Sequence, residues 1–210
     1  MNFKCYDVVE IQGKRYVVIE VISYQEFIIE KTVNYTLNDE MYNNELGTHK
    51  GAKNWTEYGL MLVDGEDKKW LTIVNGEKGY CTFSETILRS TPPKGYKLYD
   101  KGLQRVISVK GESKARSGDK ADYKEYRSIK KDKTNVFFIE DWHGGLKDQA
   151  QGERIRLSDV HRRRDQAAQA ASKKIRNVAR RKEWTRLGLS WGIILFFLGL
   201  SIYLSYTSGS

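Results

Sequence analysis

WTEYGLMLVDGEDKKWLTIVNGEKGYCTF, residues 55–83, contains three short runs of strand-forming residues, Trp55–Val63, Trp70–Val74 and Tyr80–Phe83, with Asp64-Gly65 and Asn75-Gly76 between them. β-Branched and aromatic side chains suit a pleated, half-buried surface, and Asp-Gly or Asn-Gly supplies the positive φ of a tight hairpin. The stretch predicts an antiparallel meander. Upstream, Asp7–Ile11, a turn at Gly13 and the β-branched run Tyr16–Ser23 predict another hairpin, while the polar, Asn-rich residues 31–53 are expected to form a long loop or an inserted hairpin.

Pro92-Pro93 breaks the pattern, which then restarts with strands at Leu103–Val109, Tyr123–Ile129 and Val136–Glu140, a turn at Gly144-Gly145 and a final strand over Glu153–Leu157. Trp55-Thr56-Glu57-Tyr58 matches Tyr123-Lys124-Glu125-Tyr126, and Trp70-Leu71-Thr72-Ile73 matches Phe137-Phe138-Ile139-Glu140. Duplication of one small β unit explains this likeness; simple recurrence of aromatic and acidic residues in β-proteins explains it as well. The fold class expected is mainly β, with two related antiparallel β units at residues 1–90 and 91–157. They pack together because neither alone buries much apolar surface.

Ser158 is a plausible N-cap for a basic helix over residues 158–186, with a weakly apolar stripe through Val160, Arg164, Ala167, Ala171, Ile175, Val178 and Lys182. Residues 187–206, LGLSWGIILFFLGLSIYLSY, carry no charge. At roughly 1.5 Å per residue they make a helix about 30 Å long, the thickness of a bilayer core, and predict one C-terminal transmembrane helix followed by the short tail 207–210. Trp184 and Trp191 toward one end and Tyr203 and Tyr206 toward the other suit an aromatic belt. Gly188, Gly192 and Gly199 suggest a packing face for homo-oligomerisation through this helix.

The formal net charge is +9, but residues 160–186 contain ten Lys or Arg against Asp165 and Glu183, so that segment carries +8 and residues 1–159 only +1. Arg180, Arg181, Lys182 and Arg186 are therefore expected at the membrane surface, where each basic residue near anionic lipid contributes about 1 kcal/mol. Nucleic acid is not an expected partner. A basic flank before the span and no apolar run of signal-peptide length at the start predict a single-pass, tail-anchored membrane protein with its N-terminal domain in the cytoplasm. The lone thiols Cys5 and Cys81 suit a reducing compartment.

His49, His143 and His161 are widely separated, and no nucleophile elbow, phosphate-binding loop or dinucleotide turn is present. No metal, cofactor or catalytic residue is expected, and the chain is read as a non-enzyme. What remains is an acidic and aromatic constellation: Glu57, Glu125, Glu140, Asp122 and Asp141 with Trp55, Trp70, Tyr123 and Trp142. Paired carboxylates can perform acid–base work if burial raises one pKa; the aromatics can equally be cross-strand packing pairs with the acids in solvent. A third reading is a cleft for a cationic ligand held by charge and cation–π contact, with Trp55, Glu57, Trp70, Asp122, Tyr123, Glu125 and Trp142 as the ligand-binding residues.

Gly13-Lys14-Arg15-Tyr16-Val17-Val18, Trp55-Thr56-Glu57-Tyr58 and Trp70-Leu71 occur in order with Gly111-Glu112, Gly118-Asp119, Ala121-Asp122-Tyr123, Phe138-Ile139-Glu140 and Gly152-Glu153-Arg154-Ile155. Over roughly residues 5 to 160 this resembles an uncharacterised bacterial domain-of-unknown-function family. The resemblance implies a β-rich domain often joined to membrane segments and encountered among membrane-stress and polyamine-synthesis-like genes, with no established catalytic residues. The region 31–53 is longer than the family's plain hairpin. The function expected is a membrane-tethered cytoplasmic interaction or sensing module that meets lipid through residues 187–206 and an unknown protein partner in an envelope-associated assembly. The alternative is a polyamine- or cation-binding domain, or an accessory subunit of an enzyme.

Overall fold

The computed structural model describes residues 2–27, 53–129, 134–181 and 185. The strands are β1 (Val8–Ile11), β2 (Lys14–Phe27), β3 (Asn54–Leu62), β4 (Lys68–Val74), β5 (Tyr80–Thr86), β6 (Tyr96–Gly111), β7 (Lys120–Ser128), β8 (Asn135–Trp142), β9 (Lys147–Arg156) and β10 (Val160–Arg163). Eight of them are hydrogen-bonded in the order β2-β3-β4-β5-β9-β8-β7-β6, and β6 returns to β2, which closes an antiparallel barrel. β1 lies beside the start of β2 and β10 beside β1. Gln12 and Gly13, with φ of 51° and 73°, form the two-residue β1–β2 turn, whose paired positive φ values match the twist of the hairpin.

The predicted meander is present as β3, β4 and β5, and its counterpart as β7, β8 and β9. The two expected units are not separate bodies: residues 1–163 form one compact unit. The reason lies in their edges. A meander such as β2 to β5 or β6 to β9 leaves unpaired backbone groups on its two outer strands, and here each half caps the other at the seams β2–β6 and β5–β9. The internal likeness falls on corresponding strands, with Trp55–Tyr58 on β3 and Tyr123–Tyr126 on β7, then Trp70–Ile73 on β4 and Phe137–Glu140 on β8. The strands correspond, but the second match is out of register by one residue: Glu57 pairs with Thr72, whereas Glu125 pairs with Phe138 and not with Ile139.

Both faces of β2, β3 and β4 are covered, which is why Tyr16–Ile22 reads as an almost unbroken apolar run rather than an alternation. Outside the barrel wall, Tyr16, Val18, Leu60, Leu71, Phe83 and Ile155 pack with Val9, Ile11 and Val160 of the added strands and with Phe3, whose ring meets Tyr58 edge-on at 5.3 Å. A smaller cluster of Ile22, Tyr24, Trp55, Val106 and Tyr123 occupies the opposite face. Leu71 is fully buried at the centre of the outer core. Leu71→Ala is expected to cost about 2–5 kcal/mol in chemical denaturation, the range for a buried leucine that leaves a cavity.

The helix does not begin at Ser158. Ser158 Oγ is bonded to Asp159 Oδ1 (3.2 Å) within a 3-10 turn, Leu157–Asp159, and Val160–Arg163 is the strand β10. An unpaired β1 edge outcompetes the helical propensity of this segment: Ile11 pairs with Val160 and Val8 with Arg163, while Arg163 donates to both carboxylate oxygens of Glu10 at 2.7 and 3.1 Å. The helix, α1, runs over residues 166–181 in the second unit, 164–210, and its N-cap is Asp165, whose Oδ1 accepts the Ala168 N–H at 2.9 Å. Arg180 and Arg181 are exposed on α1; Lys182, Arg186 and the expected span 187–206 lie outside the described residues, as do residues 28–52. Among the described residues no helix is long and apolar enough to cross a membrane.

Candidate functional site

Which face of the wall is the lumen follows from contacts between strands that are not neighbours. Trp55 on β3 meets Tyr123 on β7 at 5.6 Å between ring centroids, and Tyr24 on β2 meets Trp142 on β8 at 6.4 Å. Two or more strands separate each pair around the sheet, so only the interior can bring them together. Tyr24 and Trp55 are stacked at 5.5 Å with 16° between planes, which makes Trp142, Tyr24, Trp55 and Tyr123 a continuous aromatic wall.

Register then assigns carboxylates to the same interior. Side chains alternate along a strand, so Glu57 shares the face of Trp55, Glu140 that of Trp142, and Glu26 that of Tyr24. Glu20 arrives there differently. A bulge between Val18 and Glu20 shifts β2 by one residue and sets Glu20 opposite Gly59. A Cβ on Gly59 would lie 2.4 Å from Glu20 Cγ, so the glycine makes room for the acid. Glu20 is almost fully buried, with Lys68 as its ion-pair partner, and the Lys68 ammonium also stands 4.3 Å over the Trp70 ring.

The polar partners inside are mostly neutral. Thr72 Oγ1 donates to Glu57 Oε1 at 3.2 Å, and the Tyr24 hydroxyl also hydrogen-bonds Glu57. Gln104 Nε2 donates to Glu140 Oε1 at 2.7 Å, and Trp142 Nε1 to Asp148 Oδ2 at 3.1 Å. Tyr123 OH donates to Glu26 Oε1 at 2.9 Å and lies 3.4 Å from Asp100 Oδ2, which Lys53 Nζ reaches at 2.5 Å. Among the described residues neither Glu57 nor Glu140 has a cationic partner.

Both are half-buried: the barrel wall surrounds them, yet they keep some solvent-reachable surface, as groups lining a lumen do. Desolvation is the main cause that pushes the Glu57 carboxyl up to about 7, against the hydrogen bonds from Tyr24 and Thr72 and with further upward pressure from Glu20 and Asp148. Glu140 is pushed up to about 8 by desolvation first and then by the charge of Glu57, against the Gln104 hydrogen bond. The two interact electrostatically and titrate as a pair. Burial also raises the Tyr24 and Tyr123 hydroxyls far above the ordinary range, so both stay neutral donors.

Of the residues singled out from sequence, Trp55, Glu57, Tyr123 and Trp142 converge here, and Trp70 packs against the same cluster. Glu125 shares their face, but Arg127 Nε pairs with it at 2.6 Å. Asp122 does not join them: it points away from the lumen, with its carboxylate exposed and 3.2 Å from His143 Nε2. Tyr24, Glu20, Glu26, Asp100 and Gln104 were missed. The one signal available was Glu20, a lone acid inside the apolar run Tyr16–Ile22, since an acid at a buried position implies a built environment. No group of three or more His, Cys, Asp or Glu among the described residues is arranged to hold a metal ion.

Fold and site together define a closed eight-stranded antiparallel barrel with an acidic, aromatic-walled interior. A domain of unknown function (DUF4178) matches residues 5–157, and the chain belongs to that family. No curated protein and no solved structure matches it.

Proposed function

We propose that the barrel is a sensing module that takes a small organic cation into its lumen, and that residues 187–206 tether it to a membrane. The observation that supports the first part is the placement of Glu57 and Glu140, two carboxylates with no cationic partner among the described residues, against the wall formed by Trp142, Tyr24, Trp55 and Tyr123. An ammonium group entering this space gains charge-assisted hydrogen bonds from the acids and cation–π contact from the rings, and it relieves the repulsion between the acids. An anion is repelled by Glu57 and Glu140, while the cations nearby, Lys68, Lys53 and Arg127, are already paired with acids. Protonated amines are therefore the ligand class, and the polyamine-synthesis-like gene context that the family resemblance implies would fit it. The tether rests on the uncharged twenty-residue stretch and its basic flank.

Calorimetry of the full chain in detergent with spermidine and with tetramethylammonium tests the ligand. Binding is expected to release protons at pH 7, because the cation favours the ionised acids, so the measured heat should vary with the ionisation enthalpy of the buffer. Glu57→Gln should weaken binding by about tenfold or more, the loss of one charge-assisted contact. Absence of both heat and thermal shift with either amine removes the reading. Membrane fractionation with and without residues 187–206 tests the tether separately.

A further inference from the structure

The outer face of the same wall holds a second concavity. The N-terminal residues Asn2–Tyr6 and residues of β2, β3, β4 and β6 line a space of about 740 Å³, within the size range of small-molecule sites, roughly 300–1,000 Å³. Its floor is apolar, from Phe3, Val21, Tyr58 and Ile73, while Ser23, Thr56, Asn75 and Ser108 supply hydroxyl and amide groups. Among the described residues these four side chains make no hydrogen bond. Lys4 and Lys110 also line it, and among the described residues the lining contains no carboxylate. Two acids act on Cys5 in the lining: Asp7, engaged by the Lys4 amide at 2.8 Å and by Arg162 at 3.0 Å, and Glu20, whose ion-pair partner is Lys68.

Hydroxyl and amide groups along a cleft offer hydrogen bonds to a hydrophilic guest, and two lysines with no carboxylate among the described lining residues favour an anion. The cleft is thus the electrostatic opposite of the lumen, from which the sheet separates it. Its shape depends on a seam: Gly111, at φ +90°, lies so close to β2 that an added Cβ would stand 2.1 Å from the Ile19 carbonyl oxygen. That contact holds Lys110 and Ser108 beside Ser23 and the N-terminal segment.

We propose that this cleft binds a small hydroxylated anion, with Lys4 and Lys110 holding its phosphate or carboxylate head while Ser23, Thr56, Asn75 and Ser108 hydrogen-bond its hydroxyl-bearing body. Calorimetry of the full chain in detergent, with adenosine monophosphate, glucose 6-phosphate and citrate beside uncharged adenosine and glucose, tests it. The expected result is binding of at least one anion and of neither neutral compound, weakening as salt rises; which anions bind tells a phosphate head from a carboxylate head. Lys110→Gln should weaken binding tenfold or more, and Thr56→Val should weaken it as well, whereas Lys97→Gln on a distant part of β6 should leave it unchanged. Circular dichroism and melting of each variant separate lost binding from lost fold. Failure of all three anions to bind below 1 mM (roughly −4 kcal/mol) overturns the proposal. So does equal binding of adenosine and its monophosphate, or full affinity in a folded Lys110→Gln chain.

Discussion

Gly152→Ala is expected to destabilise the barrel by about 3 kcal/mol, at the upper end of what overpacking costs. Gly152 is on β9 opposite Ser84 of β5, at one of the two seams where the four-stranded halves meet. A Cβ there would lie 2.2 Å from the Phe83 carbonyl oxygen and 2.6 Å from Ser84 Cα, and backbone cannot move aside without parting the two strands. Gly111 holds the corresponding place at the β2–β6 seam, and Gly111→Ala adds the strain of a positive φ to its own collision with Ile19. Gly144→Ala is the control: a Cβ there meets nothing within 4 Å, and its effect should stay within about 0.5 kcal/mol. Urea denaturation of the full chain in detergent checks the series. If Gly152→Ala unfolds with the parent protein, β5 and β9 are not the tight seam described here.

The second large effect is a loss of stability as pH rises. In the unfolded chain Glu57 and Glu140 titrate near the ordinary 4.5; in the barrel they are pushed up to about 7 and about 8. Below about pH 4.5 both states hold these protons and the pair imposes no penalty. Between there and pH 8 the unfolded chain sheds protons that the barrel keeps, so folding grows less favourable, and above pH 8 the penalty is complete. Its size is on the order of 2–4 kcal/mol for the pair, scaled down because both carboxyls keep solvent contact. Facing groups from the packed strands set the same direction: Glu20 and Asp148 add negative charge, while Tyr24, Thr72 and Gln104 offset it with hydrogen bonds. Glu140→Gln should therefore be near neutral at pH 5 and stabilising by about 1–2 kcal/mol at pH 8.5, with a flatter pH profile. Denaturation midpoints from pH 5 to 9 check this; parallel profiles for parent and variant would show that the pair does not meet across the lumen. A bound amine should restore stability at high pH, which ties this profile to the proposed ligand.

Trp55, Glu57, Tyr123 and Trp142 were legible only as members of an acidic and aromatic set in a β-rich chain; alternation along β3 then puts Trp55 and Glu57 on one face. Asp122 shows the limit. It is adjacent to Tyr123, and in a strand adjacent residues face opposite ways, so a list drawn from composition unites groups that the sheet separates. Glu20 marks another limit. Plain alternation from Val18 would send it to the outer face, and only the bulge, accommodated by Gly59 on a different strand, turns it inward.

Local chemistry determined the strands, the hairpins, the four-residue likeness of the halves and the break at Pro92-Pro93, because β propensity, alternation and turn geometry act over a few neighbouring residues. Closure of the halves into one barrel was decided by tertiary structure, since it depends on which edges find partners. The same competition made Val160–Arg163 a strand on β1 despite a composition suited to helix. The site belongs with closure: Glu57 and Glu140 are 83 positions apart in sequence, and only a wall that curves back on itself makes them repel each other in one desolvated space.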